Sequence, residues 1–256
     1  MKRTLHLNMS LVAFVVWATL PTSALTSAAA TEDACNGLPT NTQLQHFLQQ
    51  AASGQEISGS LGPNTTAGGL FQGERMWGAV VNREGRLCAF ITSTTDPTQV
   101  WPGSQAIAKA KAFTANGFSL DAFMLSTARL YTLALPGHSL FGLNQSNPFN
   151  PGLLIPPGGS EGRGLIAGGI ITFGGGVPLY AGGKIIGGLG VSGDTACADH
   201  EIAKRVRDLA GLNPPGGPLV DDIVYDPASI FAHPLCINTL HNGVPLSANE
   251  VPLPGP

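Results

Sequence analysis

Charge is scarce in this sequence: 13 basic and 16 acidic side chains among 256 residues. No basic run occurs, so nucleic acid and anionic membrane surfaces are poor partners. Only one long apolar run is present, the 12 residues Met9–Leu20. It falls well short of the roughly 20 needed to span a bilayer. No C-x-x-C pair occurs, which argues against a zinc knuckle or a thiol redox motif. No methionine pattern suggests copper. The 34 glycines have no fixed period, which excludes collagen.

What is there begins with an export signal. Lys2 and Arg3 precede the apolar run, Pro21 follows it, and Ala28-Ala29-Ala30 offers a small-residue cleavage site. Residues 1–30 are therefore expected to be removed. Removal leaves 11 basic against 16 acidic residues, a net charge of −5. Four cysteines remain: Cys35, Cys88, Cys197 and Cys236. An even count after an export signal favours two disulfides and a secreted or periplasmic setting. Three pairings are open. The preferred one is Cys35–Cys88 with Cys197–Cys236, which pins the N-terminal arm to a strand and the tail to a helix start.

Leu44, Phe47, Leu48 and Ala51 recur at helical spacing, which predicts a helix over 41–52 capped by Asn41. His46 falls off that apolar face and is expected in solvent. Met76–Val81 and Arg86–Thr92 read as a hairpin about Asn82-Arg83-Glu84-Gly85. Arg86, Cys88 and Phe90 would share one of its faces. Ser104 is expected to cap a helix to Asn116, and Ser119 another to Leu133. Residues 137–168 are rich in Pro and Gly breakers and read as a long loop. Ile170–Phe173, Val177–Tyr180 and Lys184–Val191 read as strands, the last two joined at Ala181-Gly182-Gly183. A helix over 198–210 follows, then a proline-rich tail over 213–256 with one strand-like piece, Asp222–Tyr225. The tally is α+β, a mostly antiparallel sheet flanked by helices, not repeated βαβ units.

Gly188-Leu189-Gly190-Val191-Ser192-Gly193 fits G-x-G-x-x-G, yet a Pro-Gly breaker stands where a dinucleotide fold needs its acidic residue. Gly190-Val191-Ser192-Gly193-Asp194 misses G-x-S-x-G at its last position, which loses the tight nucleophile turn. Gly137-His138-Ser139 is also incomplete. Asp199, His200 and His233 would form a metal set if Cys197–Cys236 joins their segments. Lys111 lies in a face of small residues, either reaching solvent or holding an acidic ligand.

Ala106–Phe118, AIAKAKAFTANGF, and Gly175–Ala203, GGVPLYAGGKIIGGLGVSGDTACADHEIA, resemble signatures of the GlcG/HbpS-like haem-binding family. The turn VVNREG resembles its V-V-D-x-x-G hairpin, with Asn82 in place of Asp. The resemblance covers roughly Met76–Leu212. It implies a profilin-like domain over 31–212, homo-oligomers, and haem or a related tetrapyrrole as ligand. Its motif positions include Lys111, Thr114, Ser192, Gly193 and Asp199. A haem iron wants His, Met, Cys or Tyr in an apolar slot; with the cysteines paired, His200 is the first candidate ligand, then His233 and His138, and Lys111 could meet a propionate. The leading expectation is haem binding without catalysis. The alternatives are a haem-degrading or small-acid-processing enzyme at the same pocket, and a structural or sensory module that binds no haem.

Overall fold

The computed structural model describes residues 34–54, 66–154 and 162–246. The expected export signal, the prolines at 156–157 and the last ten residues lie outside these. The ordered elements are α1 (Asn41–Ala52), β1 (Trp77–Asn82), β2 (Leu87–Thr92), α2 (Ser104–Phe118), β3 (Gly176–Ala181), β4 (Lys184–Ser192) and α3 (Ala196–Leu209). A short hairpin of β5 (Leu240–His241) and β6 (Val244–Pro245) closes the described chain.

β1 to β4 form one sheet in the order β2-β1-β4-β3, antiparallel throughout. Alternation along β4 builds the layers. Leu189 and Val191 join Leu44 and Leu48 of α1 and Ile202 and Val206 of α3 in one core. Trp77, Ala79, Val81 and Phe90 pack on the opposite face with Ala108 and Ala112 of α2. On that side β4 presents Gly188 and Gly190. A Cβ on Gly190 would run into the Ala108 carbonyl, so glycine is what lets α2 lie directly on the strand. The β3–β4 turn is two residues, Gly182 and Gly183, with φ of 55° and 78°. Both values suit glycine and match a hairpin turn of the sheet's own twist.

Several expectations change in detail. The cap of α1 is Thr40, in a reciprocal capping box with Gln43, while Asn41 accepts from the Phe90 N–H at 2.8 Å. Ser104 is the first residue of α2, after an N-cap at Gly103. Phe90 lies on the face opposite Cys88 because a register shift at Val80/Val81 reverses the alternation. Residues 119–133 are not an α-helix. Ser119 Oγ bonds both the N–H and the carbonyl of Leu125, at 3.0 and 3.1 Å, and closes a loop instead. Short 3-10 turns at 127–130 and 132–134 follow. Residues 170–173 form no strand, the Ile171 N–H going to Thr114 Oγ1 at 3.0 Å. Asp222–Tyr225 forms only one bridge, Val224 to Ala232.

Cys35–Cys88 and Cys197–Cys236 are the two disulfide pairs, with Cα–Cα distances of 5.6 and 5.9 Å. They fit an oxidising compartment. No helix among the described residues is long and apolar enough to cross a membrane. The segment from Asn213 onward lies across α3. Arg207 grips Asp221 through two bonds of 2.7 and 2.9 Å, Ser126 Oγ donates to the Asp221 carbonyl, and Thr132 Oγ1 to that of Ala232. With the sheet and α1 packed on its other sides, this cover leaves every residue of α3 from Cys197 to Arg207 buried, although six of the eleven can carry charge.

Candidate functional site

Of the sequence candidates, Lys111, Ser192, Gly193, Asp199 and His200 lie where β4 ends and α3 begins. Thr195 caps α3, its side chain accepting from the Ala198 N–H, and Asp199 lies in the first turn, where a negative charge meets the helix dipole favourably. Asp199 Oδ1 accepts from the N–H groups of Gly193 (3.1 Å) and Asp194 (2.9 Å). Its Oδ2 takes Lys111 Nζ at 2.6 Å, and Lys111 also donates to the Val191 carbonyl at 2.9 Å. Both side chains are sealed from solvent. Lys111 therefore neither reaches solvent nor stands open to a ligand. Burial pushes Asp199 up to about 6 and Lys111 down, against their mutual attraction.

Thr114 is committed within the fold, its Oγ1 donating to the Ala110 carbonyl and accepting from Ile171 N–H. Ser192 is buried at the end of β4, opposite Trp77. Gly193 packs so tightly on Arg75 that a Cβ would meet its carbonyl oxygen.

The three histidines differ sharply. His138 is exposed in the long loop, beside exposed Leu135 and Phe141. It is not brought to the helix start. His233 is buried, and Tyr131 packs at 5.0 Å between ring centroids. Its Nδ1 lies 2.8 Å from the Pro234 carbonyl, which can only accept, so the proton sits on Nδ1. Its Nε2 then accepts from Gly174 N–H at 3.2 Å. Burial lowers its pKa to about 4.

His200 has zero exposure, and burial holds its pKa below the ordinary histidine value. Its Nε2 faces Asp222 Oδ1 at 3.3 Å and the Ile223 N–H at 3.2 Å. That N–H is better met by Asp222 Oδ1, at 2.8 Å. The carboxylate accepts only, so Nε2 carries the proton toward it. Nδ1 is left as a buried lone pair without a hydrogen-bond partner. A carboxylate on one imidazole nitrogen with the other nitrogen free is the arrangement that orients a metal-binding histidine. As a donor, His200 fits an iron. As a position, it is covered by the segment carrying Asp222 and Ile223.

Asp222 is the residue that sequence reading missed. It also binds Lys204 Nζ at 2.7 Å and His241 Nε2 at 2.9 Å, and these cations and donors hold its carboxyl far below the usual range. Thr127 was missed too: it accepts from Gly176 N–H and donates to the Phe173 carbonyl, fixing the chain just before β3. Neither carries a local motif. Both act across 18 residues of sequence or more, and only the doubled Asp221-Asp222 hinted at anything.

Comparison with known proteins places these elements in a family. The family described as "Haem degrading protein HbpS-like" matches residues 66–208. Among solved structures, a PduOC–haem complex is 22% identical over 66% of this chain and 89% of its own, with a TM-score of 0.43. The Klebsiella pneumoniae protein ORFY is 19% identical over 78% and 98%, TM-score 0.42. HbpS is 20% identical over 78% and 98%, TM-score 0.38. No curated protein matches.

Proposed function

The chain belongs to the family described as haem degrading protein HbpS-like, and on that footing we propose that it is an exported haem-binding protein that does not turn the haem over. The observation that carries the proposal is the buried, unpartnered Nδ1 of His200 within the family-matched span. Haem, when bound, supplies an iron centre that takes a nitrogen ligand in an apolar setting. His200 would offer Nδ1. Asp222 holds the other ring nitrogen's proton and fixes the ring, and Lys204 keeps Asp222 ionised. Asp199, Lys111, Thr114, Ser192 and Gly193 set the position of the helix start that carries His200. Lys111, already neutralised by Asp199, leaves the haem carboxylates to other groups. His233, with both nitrogens bonded, is a weaker candidate.

Export and assembly into a homo-oligomer belong to the same reading. The export signal and the paired cysteines support the first, and the family resemblance supports the second. Amino-terminal sequencing of the mature protein and its mass in solution test them.

A second reading is turnover of haem, favoured by the family's description. A second site is surface binding at His138, favoured by exposed Leu135 and Phe141 beside it. Hemin titration separates these. Soret perturbation lost in His200→Ala supports the leading proposal, and loss in His138→Ala the surface site. Decay of haem absorbance with reductant and oxygen, faster than for free hemin, supports the enzyme.

A further inference from the structure

Cys197 Sγ, Cys236 Sγ and a ring nitrogen of His233 all lie within 4.8 Å of one another. All three residues are buried. We propose that reduction of Cys197–Cys236 turns this corner into a binding site for a soft divalent cation, of the zinc or cadmium type, with two thiolates and one imidazole as ligands. Two sulfurs and a nitrogen are the donor set such ions prefer, and a fourth tetrahedral position is left to water.

Three features prepare the corner for metal. The sulfurs sit at the start of α3, a 14-residue helix, and the Cys197 N–H points at Cys236 Sγ from 3.2 Å. A helix start and a backbone donor both stabilise a thiolate over a thiol. The Nδ1–H of His233 is tied to the Pro234 carbonyl, which orients the ring and makes Nε2 the ligand nitrogen; to bind a cation it gives up the 3.2 Å bond it accepts from Gly174 N–H. The two Cα atoms stand 5.9 Å apart, so the sulfurs can separate around an ion while the backbone stays in place. A second acidic cluster, Glu201, Asp222 and His241, offers no such opening, because Lys204 already supplies its cation at 2.8 and 2.7 Å.

The chemistry balances simply. A phosphine reductant gives two electrons to the disulfide and becomes the phosphine oxide with oxygen from water, while the sulfurs take up two protons as thiols. The cation then displaces those protons to solvent as the two sulfur–metal bonds form. The Cys35–Cys88 pair is the internal control, since no cluster of metal-ligating groups among the described residues includes it.

The test is cadmium titration of the mature full chain, reduced with phosphine and freed of it, read by the ultraviolet thiolate-to-cadmium charge-transfer band. One cadmium per chain is expected, with the band abolished in Cys197→Ser and kept in Cys35→Ser. His233→Ala should weaken binding at least about tenfold, since loss of an outer partner alone costs about that much. An unfolded reduced chain would bind through its thiols without regard to His233, so circular dichroism is recorded alongside. No band, a band that survives Cys197→Ser, indifference to His233→Ala, or loss of the fold on reduction each overturns the proposal. None of these outcomes involves haem, so the result stands apart from the haem-binding reading.

Discussion

Lys111 Nζ lies 2.6 Å from Asp199 Oδ2, joining two helices that sit on opposite faces of the sheet. They meet beside Gly175, whose φ is 115°, and a Cβ there would lie 2.6 Å from Lys111 Nζ and 2.9 Å from Asp199 Cβ. The backbone gives way at this one residue so that the ion pair can cross. Removing either partner leaves a buried charge, which costs about 3–5 kcal/mol. Lys111→Met and Asp199→Asn are each expected to destabilise by that order in urea unfolding. The double variant should lose clearly less than the sum. Additive losses would mean that the two groups do not interact.

Gly190 of β4 admits a neighbouring helix, whereas Gly117 of α2 admits nothing. Gly190→Ala puts a methyl group against the Ala108 carbonyl and is expected to cost about 1–3 kcal/mol or more. Gly117, inside α2 with open space around it, behaves oppositely. Gly117→Ala should stabilise by about 0.5–1 kcal/mol. Thermal unfolding of the two variants checks both signs.

His233 makes stability depend on pH. Its folded pKa of about 4 lies below the unfolded 6.5. Its contribution is thus fully present above 6.5 and lost as pH falls toward 4. A shift of that size is on the order of 3 kcal/mol. Asp199, raised to about 6, runs the other way in the same window, because the folded form binds its proton more tightly. The comparison of wild type with His233→Gln isolates the histidine. The variant is expected to lose less stability between pH 7.5 and 4.5, and an identical loss would refute the assignment.

Much of this fold was legible from local signals. The period of Leu44, Leu48 and Ala51 placed α1, and the Gly182-Gly183 turn placed the β3–β4 hairpin. The preferred cysteine pairing is the one formed. Two of the misreadings share a cause. At Ser119 and Ile171 a side chain takes the backbone bonds that a helix or strand would have used, and sequence periodicity is blind to that competition. The candidate site was half legible. Motif positions led to Lys111 and Asp199, and the ligand preference of a haem iron led to His200. Asp222, which orients His200, comes from a proline-rich tail whose path is set by Arg207, Asp221 and the Cys197–Cys236 bridge.

The central claim is that His200 Nδ1 is the nitrogen a haem iron takes. The most direct measurement is the absorption spectrum of the mature protein titrated with hemin, run beside His200→Ala. Saturable binding with a shifted Soret band, lost or strongly weakened in the variant, is the expected result. An unshifted band, or the same shift in His200→Ala, would contradict it.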